Sequence, residues 1–262
     1  MIGNFSILLL YSLCIAYAGL NIYAMICANK MIFPAPPSSY QDDSQILKLQ
    51  ASDGKSISAY LLKNDNSNNL LIYSHGNNED VGQIRPILEH FQQLGISILT
   101  YDYPAYGTST GRASESGTYA AIEATFNYAT ESLGYPPERI ILYGRSLGSG
   151  PSTWLAEQKG VAGLILEGAF TSTFRVMTGI KILLWDKFDN YARMPNIKCP
   201  ILMIHGTDDR VVPITHAQKN WRQIKGNKQK LFVQGAGHGD LIEIAGDDYW
   251  NIVLSFIHGK QQ

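Results

Sequence analysis

Cysteine is scarce in this chain: Cys14, Cys27 and Cys199 are the three in 262 residues, and no C-x-x-C pair occurs. That rules out a disulfide framework and gives no sign of a thiolate zinc site or a redox pair. A basic excess is also missing. The formal net charge is -1, whereas a nucleic-acid partner calls for cations gathered on one face. Nucleic acid is therefore set aside. No repeat or low-complexity tract breaks the chain, and its length suits one well-buried α/β domain without requiring a second.

One absence is local. No Asp, Glu, Lys or Arg precedes Lys30, and apolar residues run with few breaks from Ile7 to Ile26. A helix of about 20 apolar residues crosses the hydrocarbon core of a bilayer, so residues 1–29 are expected to form a single-pass N-terminal membrane anchor. The alternative is a signal peptide cleaved near Ala16-Tyr17-Ala18, leaving a secreted or periplasmic protein. Against cleavage, no cation precedes the apolar run, and the run continues well past Ala18. Lys30 alone does not orient the segment across a membrane.

Residues 30–45 follow as a Pro-rich connector, carrying Pro34, Pro36 and Pro37, and residues 46–262 are expected to form the domain. Within it, apolar runs at 46–49, 57–62, 70–73, 96–101, 140–143, 164–166, 201–204 and 231–233 read as strands. Most are short and apolar on both faces, as in a buried parallel sheet. Asp53-Gly54 is the turn of an opening strand pair, and Asn64 to Asn69 reads as a hairpin loop. Helical patterns fall at 81–94, 117–133, 147–158, 216–224 and 247–258. The alternation predicts a mostly parallel sheet flanked by helices, with working residues at the carboxyl ends of the strands.

Directly after one such strand stands Tyr143-Gly144-Arg145-Ser146-Leu147-Gly148. A G-x-S-x-G at a strand-to-helix turn exposes a serine hydroxyl in a strained backbone, and the glycines keep side chains out of a crowded corner. Serine at its ordinary pKa needs a base that is itself held in place. His205-Gly206-Thr207-Asp208-Asp209 offers an acid after the strand at 201–204, and Gly235-Ala236-Gly237-His238 offers a histidine after the last strand. A lone loop aspartate is usually a turn former, and a histidine between glycines can simply be exposed. Together, in the order Ser, Asp, His and each just beyond a strand, they point to a triad for acyl transfer. Asp208 and Asp209 both compete for the acid role, with Asp240 a distant third that would need its loop to fold back.

Acyl transfer also needs donors for an oxyanion. The residue after the nucleophile supplies one, the N–H of Leu147, and the loop Ser74-His75-Gly76-Asn77-Asn78-Glu79-Asp80 supplies the other, with Asn77 best placed. His75 is read as support for that loop. Its rival role, metal ligation alongside His205, fits no recognised ligand spacing. His90, His216 and His258 read as ordinary helix residues, and no metal or organic cofactor is implied.

These stretches, with Tyr101-Asp102-Tyr103-Pro104-Ala105-Tyr106-Gly107-Thr108-Ser109-Thr110-Gly111, resemble the α/β-hydrolase domain-containing serine hydrolases. The resemblance is to their membrane-associated branch, which includes protein depalmitoylases, and runs from about Phe33 almost to the C-terminus. It implies the α/β-hydrolase fold, Ser146, Asp209 and His238 as triad, and Asn77 and Leu147 as oxyanion donors. It further implies a small-molecule or lipid acyl ester or thioester, or an acylated protein, as substrate. The depalmitoylases carry a cysteine-rich, lipidated N-terminus, where this chain has an apolar segment with two scattered cysteines. A peptidase of the same fold and a catalytically idle membrane-bound scaffold are the rival functions. Between Ala169 and Cys199, where relatives insert a lid, the chain has room for only one or two short helices, over an acyl groove or as plain core packing.

Overall fold

The computed structural model describes the backbone of residues 2–259 and the side chains from Ile7 on. Met1 and residues 260–262, the outer ends of the expected anchor and domain, lie outside the described residues. The chain opens with helix α1 (Ile2–Ile32), then forms strands β1 (Ile46–Gln50), β2 (Ser56–Leu62) and β3 (Leu70–Ser74). Helix α2 (Val81–Gln93), strand β4 (Ser97–Tyr101), helix α3 (Glu115–Asn127) and strand β5 (Ile140–Arg145) follow. Next come α4 (Ser149–Gln158), β6 (Gly163–Glu167), the short helices α5 (Thr173–Thr178) and α6 (Asn190–Arg193), and β7 (Ile201–Gly206). The chain closes with α7 (Thr215–Gln223), β8 (Lys228–Val233), α8 (Leu241–Ala245) and α9 (Asp247–Ile257).

The strands make one eight-stranded sheet in the order β1-β2-β4-β3-β5-β6-β7-β8. β1 and β2 form the expected hairpin through Asp53-Gly54, where Gly54 takes a φ of +79° that suits a residue without Cβ. β2 runs antiparallel to β4, and every pairing from β4 to β8 is parallel. The loop at 64–69 is therefore not a hairpin: β4 lies between β2 and β3, and the chain crosses over it. Turn-forming residues mark where a chain bends, but not which strand it pairs with next.

The central strands are covered on both faces, and their side chains alternate between two cores. Leu70, Ile72, Leu142, Leu164, Leu166 and Met203 pack with residues of α3, α4 and α7. Leu71, Tyr73, Ile141, Tyr143, Ile165 and Leu202 pack with α2, α8 and α9 on the opposite face. A period of two with both sides apolar explains why these strands read as continuous hydrophobic runs. Capping fixes where the helices start. Asp80 accepts the Gln83 N–H while Gln83 accepts the Asp80 N–H, closing a capping box on α2, and Ser114 accepts the Gly117 N–H at the start of α3.

α1 is the one helix among the described residues long and apolar enough to cross a membrane, with a segment Ile7–Ile32 of mean hydropathy 1.8. Such a helix fits an anchor or a signal sequence. Ile7 to Leu10 and Ile15, Ile22, Met25 and Ile26 all stand exposed, while Ala28, Ile32 and the following Phe33 enter the domain's core. The Pro-rich stretch is packed on the domain too. Phe33 meets Phe188 edge-on at 6.0 Å, the Ser39 N–H donates to Asp80 at 2.7 Å, and the Tyr40 hydroxyl donates to Asp102 at 2.5 Å.

Candidate active site

β5 delivers Ser146 at its carboxyl end. The backbone turns there through a φ of +51°, a left-handed value that a serine holds only under tertiary constraint. The corner is too tight for side chains on either side. A Cβ on Gly144 would stand 2.5 Å from the Gly148 carbonyl oxygen, and one on Gly148 would stand 2.0 Å from the Ser74 carbonyl oxygen. The chain then passes through a single tight turn at 146–148 into α4.

β7 and β8 carry the partners. Asp209, just beyond β7, is buried, and its Oδ1 accepts the N–H groups of Val211 and Val212 at 2.8 and 2.7 Å. Its Oδ2 lies 2.6 Å from Nδ1 of His238, and Nε2 of His238 lies 2.9 Å from Oγ of Ser146. A carboxylate can only accept, so Nδ1 carries the proton and Nε2 presents its lone pair to the serine hydroxyl. Burial pushes the Asp209 carboxyl up, but the hydrogen bonds from His238 and Val212 outweigh it and hold the group below the usual carboxylate range. The arrangement can draw a proton from the hydroxyl and keep the resulting imidazolium beside an anion.

The rival acids do other work. The Asp208 carboxylate accepts the neighbouring Thr207 hydroxyl at 3.0 Å, and Asp240 accepts the Gly237 N–H at 2.6 Å, closing the turn that holds His238. His75 and His205 are both buried in local contacts. His75 Nδ1 donates to the Gly76 carbonyl at 2.7 Å, and its Nε2 lies 3.2 Å from Asp102 Oδ1, at ion-pair distance but out of hydrogen-bond alignment. His205 Nε2 donates to the Val212 carbonyl at 2.7 Å and so braces the Asp209 turn.

The loop from His75 to Asp80 faces the serine and is held by its carbonyls. Tyr103 donates its hydroxyl to the His75 carbonyl at 2.6 Å, and Tyr106 donates to that of Asn77 at 2.8 Å. Asn77 and Leu147 both line the cavity that opens on Ser146, so the two oxyanion candidates and the candidate nucleophile meet in one place.

Three contributors were not visible in the sequence. Glu79 accepts the Gly76 N–H at 2.8 Å and pairs with the Arg145 guanidinium, whose Nε donates to Glu167 at 3.0 Å. Glu167 is buried and also accepts the hydroxyls of Tyr143 and Tyr249. Burial pushes the Glu79 carboxyl up, but Arg145 outweighs this and draws it below its ordinary value. This chain of charges ties the loop at 75–80 to the serine turn. Arg145 sits inside the G-x-S-x-G, yet the motif is indifferent to that position and gives no hint of the clamp. Met31 and Ile32, from the end of α1, were missed as well: they line the apolar cavity of about 360 Å³ above Ser146, with Phe170, Phe174, Met177 and Val212. The segment between Ala169 and Cys199 does form two short helices, α5 and α6, and α5 contributes Phe174, Val176 and Met177 to the cavity wall.

A family model described as the alpha/beta hydrolase fold matches residues 69–188 and 174–244. The chain is 39% identical over 179 residues to alpha/beta hydrolase domain-containing protein aho-3 of Caenorhabditis elegans, covering 67% of this chain and 54% of that one. It is 33% identical over 213 residues to alpha/beta hydrolase domain-containing protein 17B of Homo sapiens, covering 80% of this chain and 74% of that one. The chain thus spans about half the length of the nematode relative and about three quarters of the human one. Among solved structures, the Pyrococcus furiosus esterase Pf2001 superposes with a TM-score of 0.73 at 16% identity, covering 86% of this chain and 97% of that one. An alpha-beta hydrolase from Vibrio vulnificus gives 0.63 at 21% identity, covering 80% of this chain and 79% of that one. These likenesses bear on the fold.

Proposed function

The chain belongs to the α/β-hydrolase family, and on that premise we propose that it is a serine hydrolase of carboxylic esters or thioesters. Ser146 is the nucleophile, His238 the general base and Asp209 the acid that orients it. The observation that carries the reading is a serine at φ +51° whose Oγ lies 2.9 Å from a histidine that is itself held by a buried carboxylate at 2.6 Å.

In the first half-reaction His238 Nε2 takes the hydroxyl proton as Ser146 Oγ bonds to the acyl carbon. The N–H groups of Asn77 and Leu147 receive the charge that develops on the carbonyl oxygen. The tetrahedral adduct collapses, the bond to the leaving alcohol or thiol breaks, and the His238 proton goes to that group. Water then attacks the acyl-enzyme with His238 again as base, releasing the acid and restoring the serine. The alcohol, thiol or acylated-protein part of the substrate stays on the open side of the site, which is lined by Gly76, Asn78, Glu79, Gln83 and Arg145. Residues 1–29 serve as the membrane anchor, 30–45 as a docked connector and 46–262 as the hydrolase domain.

Labelling with a fluorophosphonate tests the assignment. Wild type should be labelled at Ser146, and Ser146→Ala should lose both label and turnover of short esters, by about 10⁴-fold or more. A Ser146→Ala protein with undiminished turnover would refute it. A peptidase would instead cleave amides at comparable rates, and an idle scaffold would take no label.

A further inference from the structure

The cavity above Ser146 does not end at the domain. Three of its walls, Met31, Phe174 and Met177, are shared with a second apolar chamber of about 210 Å³. That chamber is lined on one side by Leu20, Tyr23 and Ala24 of α1 and on the other by Thr178, at the end of α5, with Ile182 and Leu183 beyond it. The two sides are tied together, the Tyr17 hydroxyl donating to the Ile182 carbonyl at 2.8 Å. The end of α1 is joined to the catalytic loop as well: Asn77 Nδ2 donates to the Ile32 carbonyl at 3.5 Å, and Ile32 is buried in the core. α1 is thus built into the site and does more than tether it.

We propose that α1 is a specificity element of the acyl site, its residues 20–31 forming the far wall of a tunnel that takes the distal part of a long fatty acyl chain. The inference rests on the acyl-hydrolase reading and adds the substrate class to it. The first chamber, at about 360 Å³, is by itself of the size that holds a small ligand (roughly 300–1,000 Å³). It accepts a short acyl group beside Ser146. A longer chain must pass between Met31 and Met177, two side chains flexible enough to part around it, and enter the second chamber. Each methylene buried there contributes about fourfold in binding. The occupant is an acyl chain because the lining of both chambers is mainly carbon and, among the described residues, no Asp, Glu, Lys or Arg lines either one. The wall lies beyond Ala18, so it persists even if the chain were cut there.

Ala24 is the small residue of the second chamber, and filling that position tests the idea. The full chain in detergent is assayed with p-nitrophenyl butyrate and p-nitrophenyl palmitate, and the ratio of the two kcat/KM values is read. Ala24→Trp and Leu20→Trp should each lower the palmitate-to-butyrate ratio at least tenfold. Ile22→Ala, on the exposed side of α1, should leave the ratio as it is in wild type. Unchanged ratios in both Trp variants, with fluorophosphonate labelling at the wild-type rate, would overturn the tunnel while leaving the serine-hydrolase reading standing. Absence of labelling and of turnover on either ester in wild type would instead bring down that reading, and the tunnel with it.

Discussion

Gly168 leaves room for His238: a Cβ at position 168 would stand 2.9 Å from the imidazole Cε1 and 3.2 Å from Nδ1. Gly168 follows β6 with a φ of +59°, so its backbone suits glycine on conformational grounds as well. Gly168→Ala should therefore push the imidazole away from Ser146. Displacement of about 1 Å in a catalytic group costs on the order of 10²-fold. The expected outcome is a fall in kcat of about ten- to a hundredfold with KM nearly unchanged, and fluorophosphonate labelling slowed in step. Equal losses on Gly168→Ala and on a Gly168→Ala/His238→Ala pair, each measured against its own parent, would show that the glycine acts elsewhere.

Arg145 joins two halves of the site that are far apart in sequence, binding Glu79 of the loop at 75–80 and Glu167 of β6. The planar guanidinium can face both carboxylates at once, which a lysine ammonium does less well. Arg145→Lys and Glu79→Gln should each lower kcat by about tenfold, through a loosened loop at 75–80. The double variant should lose little more than either single one, because both break one link. Steady-state kinetics on the four proteins checks this. Additive losses would mean that the two residues act independently.

Much of this architecture could be read from the chain itself. The eight strands were legible because central parallel strands are apolar on both faces, and Leu70-Leu71-Ile72-Tyr73 announces itself as such. Ser146, Asp209 and His238 were legible because each lies just past such a run, where a parallel sheet gathers its loops. The crossing of β4 between β2 and β3 was not, since pairing depends on contacts between distant strands that no local pattern encodes. Nor was the choice of Asp209 over Asp208 open to local reading. In the structure the Val211 and Val212 N–H groups hold the Asp209 carboxylate toward His238, which favours Asp209. The role of α1 in the cavity was hidden for another reason: an apolar run long enough to span a bilayer looks the same whether or not one side of it packs on a domain.

His216, on α7, carries a pH dependence of its own. It is buried, its Nδ1 accepts the N–H of Thr171 at 3.2 Å and lies 2.9 Å from the Thr171 hydroxyl, and burial above all lowers its pKa to about 4. The unfolded chain takes up this proton near 6.5, so folding keeps the ring neutral. The stabilisation is fully present above about pH 6.5 and is lost as pH falls toward 4. The lowered Asp209 and Glu79 carboxyls lose theirs as pH falls from the ordinary carboxylate range downward, so the histidine governs the upper part of the decline. Thermal unfolding of wild type should show Tm declining between pH 6.5 and 4.5, and His216→Gln should show a shallower decline. Parallel slopes in the two proteins would contradict the assignment.

Asp209→Asn isolates what the carboxylate does beyond filling space. An asparagine there can keep its carbonyl oxygen on the Val211 and Val212 N–H groups, which now bond Oδ1 at 2.8 and 2.7 Å. Its amide nitrogen then occupies the Oδ2 position, 2.6 Å from His238 Nδ1, and donates where a carboxylate accepted. His238 must present Nδ1 as acceptor and place its proton on Nε2, so the nitrogen facing Ser146 can no longer take the hydroxyl proton. The fold survives while the base is disabled. Turnover should fall by about 10²- to 10⁴-fold, with Tm within a few degrees of wild type. Asp208→Asn, whose carboxylate meets only the Thr207 hydroxyl among the described side-chain contacts, should stay within about twofold of wild type. If the two variants behaved alike, the acid of the site would not be Asp209.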